Sequence, residues 1–266
     1  MRSMVEGALR WAMPLGRAPS TTACGGGPPP RSGEERDMKR FYTDVAAHLG
    51  PDGHAVLLDG RPIRTPARAL LLLPTPALAE AVAAEWRAQG DTIEPRAMRL
   101  TGLANAAIDR VAPAPAAFAA QLAPYAETDA LLYRADEPAA LVARQAATWD
   151  PILAWARHRY DVAFAPAVGI VHTPQPAATV ARLTDALAAR DPFALAALHP
   201  LVTIGGSLVA ALAVAERALP PDDAFAATHL DELWQAQQWG EDHVAAQARE
   251  ARRADFLAGA QMLVLL

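Results

Sequence analysis

HAVLLDGRPIRTPARALLLLPTPALAEAVAAEWRAQG, residues 54–90, contains the change of period on which the fold turns. Its first half is short and punctuated: residues 54–58, the pair Asp59-Gly60, then Arg61-Pro62-Ile63-Arg64, then residues 69–73. An Asp-Gly between two such runs marks a hairpin, because glycine supplies the positive φ that favoured two-residue turns require. Pro62 lacks a donor, which places its strand at an edge. After Pro74 the period lengthens to nearly four. Thr75 can cap a helix opened by Pro76, with Leu78, Val82 and Trp86 on one face and Gly90 available to stop it. Trp86 is expected in the core, where truncation to alanine costs about 3–5 kcal/mol.

Downstream the pattern is helical. Leu100, Leu103, Ala104, Ala107, Ile108 and Val111 fit one amphipathic helix, and Phe118, Leu122 and Tyr125 mark another. Residues 130–134 read equally as a short strand or an apolar turn. Helices are expected over 138–148 and 151–160, with Asp150-Pro151 either starting the second or kinking one long helix. Residues 162–170 look extended. A further helix turns Val180, Leu183 and Leu187 inward, and Asp191-Pro192 opens the next by cap and proline. Pro220-Pro221-Asp222 separates that from a helix carrying Leu230, Leu233 and Trp234, and Gly240 precedes the last helix. The expected fold is α+β: a small N-terminal antiparallel β-containing domain over residues 38–75, followed by a larger multihelical domain over 76–266.

Upstream, residues 1–37 read as a disordered extension, with arginines among Pro, Gly and Ser and the run Gly25-Gly26-Gly27-Pro28-Pro29-Pro30. A start assigned too far upstream, with Met38 as the true one, fits as well, and a transit peptide is the weaker alternative. The single cysteine, Cys24, excludes an intramolecular disulfide or cysteine metal site and suits a reducing compartment. A net charge of −5 argues against nucleic-acid binding, which needs surplus cations to displace counterions. Residues 192–215 hold no Asp, Glu, Lys or Arg, but Pro200, Gly205-Gly206, His199, Thr203 and Ser207 argue for a central helix packed on all sides over a membrane span.

Catalytic and metal motifs are weak. His229 and Glu232 are three apart, yet two ligands make no metal site, and a solvated helix face is the plainer reading. Gly205-Gly206-Ser207 is not the nucleophile elbow. No cofactor and no metal are expected.

Several stretches together resemble the assembly-chaperone family that binds the alpha subunit of F-type ATP synthase before it enters the catalytic head. They are Lys39-Arg40-Phe41-Tyr42, Leu58 through Pro66, Ala84-Glu85-Trp86 with Gln89, Leu103-Ala104-Asn105 with Ile108-Asp109, and Thr128-Asp129 with Tyr133-Arg134. The order continues with Arg144-Gln145, Trp149-Asp150-Pro151, Gly205 and Ser207 with Leu208, Leu230-Asp231-Glu232, and Trp239-Gly240. The resemblance spans residues 39–266. It implies a non-enzymatic holdase, monomeric when free, that occupies an aggregation-prone face of the alpha subunit until the beta subunit arrives. No membrane insertion is expected, and the compartment is a bacterial cytoplasm, or the mitochondrial matrix for a eukaryotic source. The alternative is an enzyme of unrecognised type with an interdomain site.

For client binding the candidate residues are Asp231, Glu232, Trp239, Gly240, Glu241 and Asp242, where carboxylates cluster near an aromatic. The competing reading makes Trp234 and Trp239 core and the carboxylates helix caps. Gln237 and Gln238 stand where an acidic residue would also suit the family pattern. Asp59, Gly60, Arg61, Pro62 and Trp86 are assigned to structure, the first four as a turn and the last as a core side chain.

Overall fold

The computed structural model describes residues 38–50 and 53–266. The expectations for residues 1–37, including Cys24 and the glycine run, lie outside the described residues. The fold is α+β. A central strand β3 (Gly53–Leu58) pairs antiparallel along its whole length with β2 (Val45–Gly50), and its other edge takes β4 (Arg61–Pro62) and then β5 (Leu72–Leu73). Strands β4 and β5 are one broken edge strand, with residues 64–70 looping out between them and the Leu71 N–H donating back to Ile63 O. Asp59 at φ 47° and Gly60 at φ 77° make the two-residue turn that joins β3 to β4, and Pro62 sits on the edge. Strand β2 goes beyond the sequence reading: Ala46, Ala47 and His48 blur its alternation, and pairing with β3 decides it. So does the small ladder of β1 (Met38–Lys39) with β6 (Thr92–Ile93).

Helix α1 (Pro76–Arg87) packs on this sheet, with the Thr75 side chain accepting the Leu78 N–H as cap. Val56, Leu71 and Leu73 of the sheet region bury against Leu78, Val82 and Leu100. Trp86 is only partly buried: it lies edge-on to Tyr42, and its backbone carbonyl accepts the Tyr42 hydroxyl at 2.8 Å. Its truncation therefore costs less than the figure for full burial. Helix α2 (Arg99–Ala106) runs into a π-helical turn over Ala107–Val111, where the Ala112 N–H reaches Ala107 O at 2.8 Å, and α3 (Pro115–Leu122) follows.

Residues 130–134 divide between the two readings. Ala130–Leu132 is a 3₁₀ turn and β7 (Tyr133–Arg134) pairs parallel with β8 (Ala167–Val168). Between them α4 (Ala139–Tyr160) runs unbroken through Pro151, settling the alternative in favour of one long helix. Helix α5 (Ala177–Ala188) buries Leu183 and Leu187. The uncharged run is corrected from one central helix to two: α6 (Pro192–Gly205) and α7 (Leu208–Ala215), separated by Gly206 at φ 65° and capped by Ser207. Both are buried among their neighbours, and among the described residues no helix is long and apolar enough to cross a membrane. Pro220 does separate α7 from the next helix, but Pro221 opens a short helix of its own, α8 (Pro221–Thr228), before the one that carries Leu230. Then come α9 (Leu230–Trp239) and α10 (His243–Leu265).

Two glycines of the helical body differ in kind. A Cβ on Gly259 of α10 would stand 2.5 Å from the Ala197 carbonyl oxygen and 2.8 Å from Pro200 Cγ of α6, so only glycine permits this crossing. Around Gly102 of α2 nothing lies within 4 Å of a Cβ, so there glycine only adds backbone entropy to the unfolded chain. Urea denaturation is expected to show Gly259→Ala losing at least about 1–3 kcal/mol by overpacking, while Gly102→Ala gains up to about 1 kcal/mol.

Candidate functional site

The C-terminal helices form a hairpin. Gly240, at φ 92°, ends α9 in a backbone region that L side chains rarely adopt, and Asp242 starts α10 by accepting the Val244 N–H at 2.8 Å. Charges tie the two arms together: Glu232 accepts from Arg252 at 2.8 Å and from Arg249 at 3.4 Å, and Glu241 accepts from Arg249. Each such pair is worth about 0–1 kcal/mol when exposed. Arg249 is shared by two carboxylates and keeps only 14% of its side chain exposed, which fixes the geometry of the reversal.

Glu232, Trp239, Gly240, Glu241 and Asp242 surround one shallow cavity of about 260 Å³, together with Gln235, Ala236, Ala245 and Arg249. Asp231 is not among them. Its carboxylate turns to α4 and accepts the Gln145 amide at 2.8 Å. The carboxylates are thus engaged, as pairs or as a cap, whereas Trp239 is 79% exposed at the end of α9. Trp234 is partly buried, with the Arg144 guanidinium 5.8 Å from its ring centroid. Arg249 and Gln235 were missed by sequence reasoning. An ion pair across a helix reversal follows no fixed spacing, so no signal pointed to Arg249.

Most other stretches that carry the family resemblance meet each other inside the fold. Asp59 Oδ1 accepts the backbone N–H groups of Asp44 and Thr43, and these bonds hold its carboxyl below the usual range. Glu85 caps α2 through the N–H groups of Leu100 and Thr101. Asp109 accepts from Thr65 and Ala67. Gln145 accepts the Ala135 N–H, Trp149 donates to Ala227 O, and Arg134 pairs with Asp150 at 2.7 Å. Asp129 is fully buried, where one oxygen takes the Leu131 N–H and the other the Ser207 hydroxyl and the Val209 N–H.

His229 is corrected from a solvated helix face to a buried position. Its ring stacks on Phe225 with centroids 3.9 Å apart, and burial holds its pKa below the usual value. Glu232 points to arginines instead. Among the described residues no three His, Cys, Asp or Glu side chains are grouped to hold a metal ion. An open cavity of about 840 Å³ is lined largely by charges spent on each other: Glu216 takes Arg159, Arg190 and the Tyr160 hydroxyl, and Arg182 takes Asp161.

Two solved structures of Atp12 from Paracoccus denitrificans superpose on this chain, one of them an Asp-to-Lys mutant. Their TM-scores are 0.82 and 0.81 at 42% identity, over 86% of this chain and 98% and 97% of theirs. A protein of Agrobacterium tumefaciens described as a chaperone matches at TM-score 0.81 and 40% identity, over 85% of each chain. A small sheet clasped to this helical body is therefore the scaffold of an α+β chaperone. The chain belongs to the ATP12 chaperone family, whose model matches residues 39–157.

Burial outweighs hydrogen bonding at Asp129 and pushes its carboxyl up to about 6 from 3.8. Below pH 6 the folded state binds a proton that the unfolded chain takes up only near 3.8. Stability from this group is therefore present at low pH and lost as pH rises from about 4 to 6, by about 3 kcal/mol in all. Asp129→Asn cannot titrate. Urea unfolding across pH 4.5 to 7.5 is expected to show the stability difference between wild type and this variant shifting against wild type with rising pH. A difference independent of pH would contradict the assignment.

Proposed function

We propose that this protein is the assembly chaperone for the alpha subunit of F-type ATP synthase: it holds the orphan subunit by contact alone and yields it to the beta subunit. The reading is supported by 42% identity over nearly the whole length of Atp12 from P. denitrificans. The single feature that carries the site is Trp239. It is large, apolar and exposed, it belongs to one of the family-like stretches, and the fold gives it no packing role. Tryptophan is the residue most enriched among interface anchors, because it buries much area with few rotors to freeze.

In this reading the Glu232, Glu241 and Arg249 pairs hold the hairpin so that Trp239 is presented without reorganisation, and Asp242 and Gly240 set the angle between the arms. Asp231 acts indirectly by tying α9 to α4. The protein is monomeric when free and works in a bacterial cytoplasm, the kind of source its relatives share. Its task is to cover apolar surface that an unassembled subunit exposes.

Light scattering of isolated alpha subunit during warming is the direct test. Stoichiometric chaperone is expected to suppress the signal, and Trp239→Ala is expected to bind the subunit at least about 30-fold more weakly, with a melting temperature unchanged because an exposed side chain contributes within about 0.5 kcal/mol. Unaltered aggregation in the presence of wild type would end the proposal. Full activity of the tryptophan variant would move the site elsewhere.

A further inference from the structure

Residues 64–70 leave the sheet as a closed loop. Arg64 bridges Leu70 at its neck, the Thr65 N–H donates to Ala69 O at 2.9 Å, and the Arg68 N–H donates to Thr65 O at 2.8 Å. The loop is also pinned from below. Asp109, on the π-helical turn after α2, accepts the Thr65 hydroxyl at 2.7 Å and the Ala67 N–H at 3.0 Å, one on each oxygen. Thr65 is buried by this, while Arg64, Pro66, Ala67 and Arg68 are exposed. Arg68 sits at φ 69°, a conformation that costs a side-chain-bearing residue energy and suits glycine better.

The charges of this loop are unspent. Both oxygens of the carboxylate beneath it serve the loop's own donors. Among the described residues no carboxylate pairs with Arg64, Arg68 or Arg110, the residue next to Asp109; the Arg64 guanidinium donates only to Arg68 O, at 2.8 Å. In the helical body Arg134, Arg159, Arg182, Arg190, Arg249 and Arg253 are ion-paired, while Arg144 donates to the Gln237 side chain and Arg157 lies over the Phe164 ring. What sets the loop apart is that its two arginines sit four residues apart on one pinned, exposed segment. Arg64 uses one donor to close the loop, but the positive charges of Arg64 and Arg68 meet no carboxylate, in a chain of net charge −5.

We propose that the loop over residues 64–70 is a second docking surface, which takes an acidic segment of the client protein. The identity of that client rests on the function proposed above. The arginine fork matches carboxylates, and exposed Pro66, Ala67 and Leu70 add apolar contact beside it. Pinning by Asp109 removes most of the ordering cost of binding. The overall negative charge disfavours a polyanion such as nucleic acid or an acidic membrane, which would meet repulsion from the rest of the chain.

The test uses the full chain carrying Arg64→Gln with Arg68→Gly, the second chosen because glycine suits the φ at that position. Association with alpha subunit, followed by stopped flow, is expected to slow about tenfold at low salt, with the gap closing at high salt and thermal stability not reduced. Asp109→Asn keeps every cation and unpins the loop, and the complex is expected to dissociate faster. A glutamate-rich peptide is the second probe, retained by wild type and released by the double variant. If the subunit fails to bind while the peptide behaves as stated, the surface stands and the client is wrong. Unchanged association rate and salt dependence in a complex that still forms would overturn the surface, as would loss of binding to acidic lipid vesicles or RNA in place of the peptide.

Discussion

The crossing of α10 over α6 at Gly259 is the constraint on which the rest of this structure depends. With Ala197 O and Pro200 within 3 Å of where a Cβ would stand, the two backbones are in contact and the last helix cannot slide or rotate. Beyond the crossing, Met262 enters the apolar cluster under the sheet, and the Thr75 hydroxyl donates to Leu265 O, so the chain's last turn closes against the cap of α1. Before the crossing, the same rigid helix runs outward to Asp242 and carries one arm of the hairpin. One close contact thus joins the sheet to the helical body and aims the exposed tryptophan.

The turn between β3 and β4 and the start of α1 were the most legible parts of the sequence. Asp59-Gly60 and Thr75-Pro76 are local devices, each decided by the φ preference or missing donor of one residue, and neighbours leave them alone. Elements decided at long range were not legible. Strand β2 has the composition of a helix and becomes a strand because β3 needs a partner, and Pro151 stays inside α4 because the flanking turns are held by Trp149, Ile152 and Leu153 in the core. The uncharged run was read as one element because hydropathy carries no mark for a reversal. Gly206 and Ser207 do carry one, a left-handed stop followed by a cap, and they decide the break.

The hairpin was half legible. Composition located Glu232, Trp239, Gly240, Glu241 and Asp242 in one place, and they do surround one cavity. It could not tell that Asp231, one residue away, faces α4, since a helix turns about 100° per residue and only the packing of α9 says which direction is inward. Nor could it supply Arg249. Glu232 and Glu241, half of what looks like a client-steering rim in the sequence, are in the fold the partners of arginines on α10, while Asp231 accepts from Gln145 and Asp242 caps α10. The charge of Glu232 and Glu241 is thus neutralised locally, which in the proposed function shifts weight from electrostatics to the exposed ring.

A holdase faces two opposed requirements, since it must offer apolar surface to a client and must not offer it to itself. The arrangement of this chain answers both by rationing. Most of its large apolar side chains are gathered in two buried clusters, and those left outside, such as Phe41, Leu49, Ile170 and Trp239, belong to different segments. The aromatic on the hairpin is a single ring among paired charges, too small a patch to drive self-association. In the proposed function, contact area for the client comes from separate places, each weak alone. Linked through one frame, the proposed contacts would act at high effective concentration toward one partner, so each strengthens the other. The close crossing at Gly259 holds the hairpin arm against α6, so that in the proposed function the exposed ring is presented on a fixed frame.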